Sequence, residues 1–151
     1  MATGNTPMDE WKNIPWKQVE RNVFKLQKRI YQASVKNDRK KVHRLQRLSM
    51  KSRSGQKLAV RRVTQDNQGK KTAGVDGVKS LTPKQRLKLS ATVQVEGKAS
   101  PVRRVEIPKP STTKTRKLGI PTMHDRALQV LVKQALVGAT GASDMMLLLS
   151  D

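Results

Sequence analysis

Residues 15–33 read PWKQVERNVFKLQKRIYQA, and this stretch decides how the chain begins to fold. Its apolar residues recur at spacings of four, three, four and three: Val19, Val23, Leu26, Ile30 and Ala33. This period places them along one face, which predicts an amphipathic helix with one buried side. Pro15 fits the start of that helix, because the N–H that proline lacks has no helical partner there.

Two more helices are predicted downstream of the first. Asn37-Asp38 interrupts the pattern, and Asp38 is a suitable N-cap for a second helix. The inner positions of the second and third helices are predicted to be Val42, Leu45 and Leu48, then Leu58, Val60 and Val63. So short a connection predicts that the first two helices form an antiparallel hairpin. A turn-rich loop is expected over residues 64–77.

The rest of the sequence predicts strands as well as helices. Thr82-Pro83 reads as the cap and first residue of a short helix through Leu89. β-Branched residues at 92–95 and 102–107, with a return at 118–120, predict extended strands and a β-hairpin. Thr122, three residues before Asp125, resembles a capped helix start, and Gly138 is the expected end of that helix. The predicted fold class is α+β.

Charge is the strongest functional signal in the sequence. The chain carries 32 Lys and Arg against 11 Asp and Glu, a formal net charge of +21. Residues 36–71 hold thirteen of the cations and only two aspartates. Solvated helix faces usually mix both signs, whereas a cluster of one sign favours a nucleic-acid partner. An anionic membrane is the alternative, but it requires a basic helix whose other face is rich in Trp, Phe and Leu. Only Trp11, Trp16 and Phe24 are available as aromatic anchors, so we expect no membrane partner.

Other features of the composition narrow the compartment and the mode of binding. The chain has no cysteine, which excludes disulfides and thiolate zinc sites. Its first residues lack the basic and apolar regions of a secretory signal, so we expect a cytoplasmic protein. Aromatic residues are few: Trp11, Trp16, Phe24 and Tyr31. Base stacking over a sheet is therefore not expected, and contacts with RNA should be mainly to phosphates.

Several segments, in a fixed order, are similar to one family of enzymes. The first group is WKNIPW at 11–16, LQKRI at 26–30, VHRLQ at 42–46 and LAVRRVTQDNQGKKTAGVDG at 58–77. The second group is VRRVEIPKP at 102–110, RKLGIPT at 116–122 and DRALQ at 125–129. Together they resemble the N-terminal region and first fingers block of bacterial group II intron reverse transcriptases, which are also maturases. The resemblance spans about nine tenths of the chain.

The resemblance implies roles for individual cations. In that family the basic helices and the following loop bind intron RNA and the template, and the matching positions are Arg44, Arg47, Lys51, Arg61, Arg62, Lys70 and Lys71. Lys109 and Arg116 match fingers cations that approach the triphosphate of the incoming nucleotide. The alternative is that they are solvated cations of a hairpin loop. The family usually has proline where this chain has Lys117, which is expected to loosen the return strand.

The sequence departs from the family at the catalytic centre. Polymerases hold two metal ions about 4 Å apart on carboxylates, and this family supplies them from a Tyr-x-Asp-Asp motif and an earlier aspartate. Neither the motif nor the earlier aspartate is found here. The only tyrosine, Tyr31, lies in the first predicted helix and is not followed by two aspartates. The family uses magnesium, whereas we expect no cofactor, no metal site and no catalysis from this chain by itself.

These inferences divide the chain into a polar segment (1–15), a basic helical region (16–90), the start of the fingers (91–137) and a tail that does not follow the family (138–151). Three functions stay open: an RNA-binding part of a maturase, one piece of a split reverse transcriptase with a palm-bearing partner polypeptide, or a basic structural protein of a ribonucleoprotein. The expected ligand is intron RNA or another structured RNA. A hairpin without its usual sheet neighbours also predicts that the second half is only marginally folded.

Overall fold

The computed structural model describes residues 6–66, 71–95 and 98–140. Within these ranges the elements follow one another as α1 (Pro7–Lys12), α2 (Trp16–Val35), α3 (Arg39–Lys51), α4 (Arg53–Arg61), α5 (Pro83–Thr92), β1 (Arg103–Pro108), β2 (Thr115–Ile120) and α6 (Met123–Thr140). A π-helical turn, Arg62–Asp66, continues α4. Six helices with a two-stranded antiparallel sheet confirm the predicted α+β class.

Helix α2 buries the face that its apolar spacing predicts, with one difference. Val19, Val23, Ile30 and Ala33 are buried, but the fifth inward position belongs to Gln27, and Leu26 is only half-buried. A buried amide needs a hydrogen-bond partner. The Gln27 Nε2 atom donates to the carbonyl oxygen of Gln134 on α6 at 3.1 Å, which explains why a polar residue is accepted there.

Helix α3 begins as predicted, because the Asp38 side chain accepts a hydrogen bond from the Lys41 amide at 3.1 Å. Leu45 is buried, but the prediction for Leu48 was wrong, since this side chain is 49% exposed. Ser49 takes the inward position instead. The backbone there lies very near α4, and a Cβ built on Gly55 would come within 2.9 Å of the Ser49 oxygen. Such a tight corner selects small residues.

Helix α4 and the π turn place a third apolar face in the core. Ser52 ends α3 and caps α4, accepting a hydrogen bond from the Gly55 amide at 2.9 Å. Leu58, Val60 and Val63 are buried, as predicted. The loop expected from residue 64 begins later, because helical backbone continues through Asp66.

The segment predicted to be a polar start contains a core residue. Helix α1 carries Trp11, which is only 3% exposed and packs with Val60, Val63 and Val93. Its Nε1 donates to the Gln65 side-chain oxygen in the π turn at 2.9 Å. Helix α1 thus packs against the helices that follow residue 15.

Helix α5 is capped as predicted, but it runs further than the sequence suggests. The Thr82 and Gln85 side chains form a reciprocal capping box around the first turn. The strand expected at 92–95 is absent from the described backbone: Thr92 is the last residue of α5, and Val93 follows it into the core. Without a neighbouring strand to pair with, β-branched residues are poor evidence for a strand.

Strands β1 and β2 form the predicted hairpin. Val105 lies opposite Leu118, and Glu106 lies opposite Lys117. Opposite charges at directly paired positions stabilise a pair of strands. Lys117, which departs from the family pattern, therefore has a favourable partner in Glu106. The two strands pack on each other and only lightly on the helices, and Leu118 is 43% exposed.

Helix α6 lies against α2, α3 and α4 and completes the core. The Thr122 hydroxyl accepts a hydrogen bond from the Asp125 amide at 3.2 Å, as the capping pattern predicts. Gly138 does not end the helix, which continues to Thr140. A Cβ there would lie 2.7 Å from the Gln27 carbonyl oxygen, so the glycine serves the close approach of α6 to α2. Since α6 packs in the core, we now restrict the prediction of marginal folding to the hairpin.

Candidate nucleic-acid interface

The outer face of α3 carries a row of cations. Four exposed residues, spaced four, three and four apart, form it: Lys40, Arg44, Arg47 and Lys51. We call these residues the α3 row. Their spacing puts them on one helix face, opposite the buried Leu45. At 1.5 Å per residue the row is roughly 16 Å long, which brings several phosphates of a nucleic acid within its reach.

The α3 row stands on a well-packed support. Leu45 packs with Ile30 and Ala33 of α2 on the opposite side of the helix. The Gln46 Nε2 atom donates to the carbonyl oxygen of Ala135 on α6 at 3.5 Å. Because α3 is fixed by both neighbours, the row presents its charges in a set geometry and loses little conformational freedom of the backbone on binding.

The charge of the α3 row is not neutralised by neighbouring carboxylates. Among residues 6–66, 71–95 and 98–140, Arg61 forms an ion pair with Asp66, and the His124 ring lies 3.4 Å from the Asp125 carboxylate. Neither pair involves α3, whose nearest acid in sequence, Asp38, caps the helix. Mutual repulsion along the row is relieved by a polyanion that releases its condensed counterions on binding. Lys40 was missed in the sequence, although it lies one turn before Arg44.

Arg61 and Arg62 do not belong to the α3 row. The Arg61 guanidinium carbon lies 4.7 Å from the centroid of the Trp16 ring, and its Nε lies 3.8 Å from Asp66. Burial lowers the pKa of Arg62, while Asp66 and Glu20 act in the opposite direction. Both arginines therefore have partners within the fold, and they point to the N-terminal half of α2.

The loop that carries Lys70 and Lys71 is described from Lys71 onward, and the backbone after Lys71 lies near the start of α6. Lys70 lies outside the described residues, and Lys71 is exposed. The backbone just after Lys71 is held by Arg126, whose Nη2 donates to the Thr72 carbonyl oxygen and whose Nε donates to the Pro121 carbonyl oxygen. Gly74 fits closely here, because a Cβ would come within 2.8 Å of the Pro121 oxygen. Sequence reasoning did not single out Arg126, whose role depends on this tertiary contact.

The two cations that match the fingers block, Lys109 and Arg116, lie on the β-hairpin and not on α3. Lys109 follows β1 in the turn, where its amide donates to the Lys114 carbonyl oxygen at 3.0 Å. Arg116 lies opposite Ile107, and residues directly opposite share a face of the sheet. Both cations are exposed. The structure thus separates the predicted cations into the α3 row, a corner beside Trp16, a loop at α6 and the hairpin.

Comparison with known proteins identifies the family. Residues 11–93 match the family described as the N-terminal domain of reverse transcriptase. The chain belongs to this family. The matched range runs from Trp11 to Val93, two residues that meet in one core cluster with Val60 and Val63. Ala127 of α6 joins the same cluster from outside the matched range, so the reverse transcriptase N-terminal domain and α6 share a core.

Two curated relatives support the same assignment. The chain is 32% identical over 136 residues to "Maturase-like protein 1" of Euglena gracilis, covering 83% of this chain and 28% of the relative. It is 36% identical over 69 residues to "Maturase-like protein 1" of Euglena longa, covering 46% of this chain and 15% of that relative. The chain thus spans less than a third of either relative. Both are euglenid proteins, so the bacterial source implied by the resemblance stays a prediction.

Within residues 6–66, 71–95 and 98–140, no group of three His, Cys, Asp or Glu side chains is placed to hold a metal ion. A two-metal polymerase site requires such a cluster of carboxylates. In the same part of the chain, no helix combines the length and the apolar character that crossing a membrane requires.

Proposed function

We propose that this reverse transcriptase N-terminal domain binds intron RNA through its phosphates, as part of a group II intron maturase and reverse transcriptase, and that it contributes binding and not catalysis. The α3 row is the observation that supports this most strongly. Four exposed cations on one fixed helix face, without carboxylate partners among the described residues, suit an RNA backbone. The names of the two Euglena relatives support a maturase. The proposed working compartment is the cytoplasm.

The test measures RNA affinity as a function of salt. Binding of the purified chain to a labelled group II intron domain should weaken steeply as salt rises, because phosphate contacts release counterions. An unrelated structured RNA of equal length is the matched comparison, and tighter binding of the intron domain supports the maturase assignment. Equal binding of both RNAs, together with stoichiometric co-purification with ribosomal RNA, would favour a basic structural protein of a ribonucleoprotein.

A primer-extension assay tests the absence of catalysis. With magnesium, deoxynucleotides and a primed RNA template, the chain alone should synthesise no DNA, since its described carboxylates form no metal-binding cluster. Synthesis that appears only after a palm-bearing polypeptide is added would favour the split reverse transcriptase. Synthesis by the chain alone would contradict the proposal.

A further inference from the structure

A cavity of about 420 Å³ lies where α1, α2, α4 with its π turn, and α5 meet. Its described lining contains three cations, Lys12, Arg61 and Arg86, together with the indoles of Trp11 and Trp16. No carboxylate contributes to that described lining. The cavity volume falls within the range of about 300–1,000 Å³ that is typical of ligand sites. Such a lining favours an anion, and the volume leaves room for more than a bare phosphate.

Arg86 gives the cavity a specific binding group. Its Nε atom is shielded from solvent and has no hydrogen-bond partner within the described part of the chain. Burial lowers the pKa of this guanidinium, and no carboxylate opposes the effect. A shielded N–H without an acceptor costs free energy, which an anionic oxygen would recover. The planar guanidinium also matches the geometry of phosphate oxygens.

The other two cations differ in how far they are already engaged. Arg61 stacks on Trp16 and lies 3.8 Å from the Asp66 carboxylate, which offsets part of its charge. That distance exceeds a hydrogen bond, so the pair is weak. Lys12 ends α1 and is exposed. The Asp66 carboxylate lies outside the described lining and offsets only part of the Arg61 charge. The three cations therefore give the cavity a net positive potential.

We propose that this cavity holds a phosphate of the bound RNA strand, with Arg86 as the main donor and Lys12 and Arg61 adding charge. This inference rests on the proposed RNA-binding function and adds a second contact, separate from the α3 row. A phosphate in the cavity bridges α1, α4 and α5. RNA binding therefore stabilises the packing of the N-terminal helix as well as the basic helices.

The two tryptophans of the chain provide a direct readout, because both line the cavity. Unlabelled single-stranded RNA should change the tryptophan fluorescence with the same midpoint as binding measured by anisotropy of labelled RNA. Arg86→Gln should abolish the fluorescence change or shift its midpoint by about tenfold or more. Lys84→Gln, which removes an exposed cation of the same helix outside the cavity, should leave it unchanged. Arg86→Lys should restore part of the response.

Other outcomes would overturn this inference without touching the proposed function. Tight RNA binding by anisotropy with silent tryptophans, or an equal response in Arg86→Gln, would exclude the cavity as a contact. A response to inorganic phosphate but not to RNA would assign the cavity to a free anion. Loss of RNA binding altogether would instead remove the proposed function. Arginine-directed modification of the unaltered chain, read by mass spectrometry, should show that RNA protects Arg86, which guards against a variant that misfolds.

Discussion

Gly138 of α6 lies so near Gln27 of α2 that a Cβ on the glycine would come within 2.7 Å of the Gln27 carbonyl oxygen. Gly138→Ala should therefore destabilise the chain, although alanine favours a helix by about 1 kcal/mol. We expect a net loss of about 1–2 kcal/mol, because backbone clashes cannot be relieved by a rotamer change. Urea denaturation followed by circular dichroism measures this. Gln129→Ala on the exposed face is the control, and equal stability of both variants would refute the packing argument.

Gln134 is a buried polar residue whose removal should help the fold. It is 2% exposed, and within the described part of the chain neither its Nε2 nor its Oε1 has a hydrogen-bond partner. An unsatisfied buried amide costs about 1–3 kcal/mol, so Gln134→Leu should raise the free energy of unfolding by roughly 1 kcal/mol. The Gln27 bond survives, because its acceptor is the Gln134 backbone oxygen. If Gln134→Leu were less stable than the parent chain, the result would contradict this prediction and would indicate that an internal water satisfies the Gln134 side chain.

Trp11 should be among the costliest residues to truncate in the N-terminal region. It packs with Val60, Val63 and Val93 and is hydrogen-bonded to Gln65. Trp11→Ala should lose about 3–5 kcal/mol of stability, as large core truncations do. Trp16→Ala should cost less, because Trp16 is half-buried. Thermal unfolding of the two variants checks this order of stability, with Asn13→Ala at an exposed position as the control. If Trp11→Ala were as stable as Asn13→Ala, α1 would not be part of the core.

Amide hydrogen exchange should distinguish α6 from the hairpin that precedes it. The α6 amides should exchange slowly, since Ala127, Leu131 and Ala135 are fully or almost fully buried. The amides of β1 and β2 should exchange much faster, because a two-stranded hairpin has little stability of its own. Uniformly strong protection from residue 98 to 137 would contradict this division.

Features that depend on one local segment were predictable from the sequence. The caps at Asp38, Thr82 and Thr122 follow from residues one or two turns apart, as does the inward face of α2 apart from Gln27. Arg44, Arg47 and Lys51 lie on one exposed face of α3, because residues spaced three and four apart on a helix share a face.

Features that depend on a partner element were not predictable in this way. Ser49 replaces Leu48 inside because α4 approaches closely. Gly138 lies inside the last turn of α6, and not beyond it, because α2 approaches closely there. The stacking of Arg61 on Trp16 joins residues that are distant in sequence, and no local pattern indicates it. Propensity alone likewise placed a strand at 92–95, where the helix end and its core contact prevail.

If the α3 row binds RNA phosphates, as we propose, its charges should set much of the salt dependence of RNA affinity. The triple variant Arg44→Gln, Arg47→Gln, Lys51→Gln should bind more weakly, with the slope of log affinity against log salt reduced by about 2–3. The triple variant Lys84→Gln, Lys88→Gln, Lys98→Gln removes the same charge at exposed positions elsewhere and should change that slope by less than about 1. Equal slopes for the two variants would contradict phosphate binding by the α3 row.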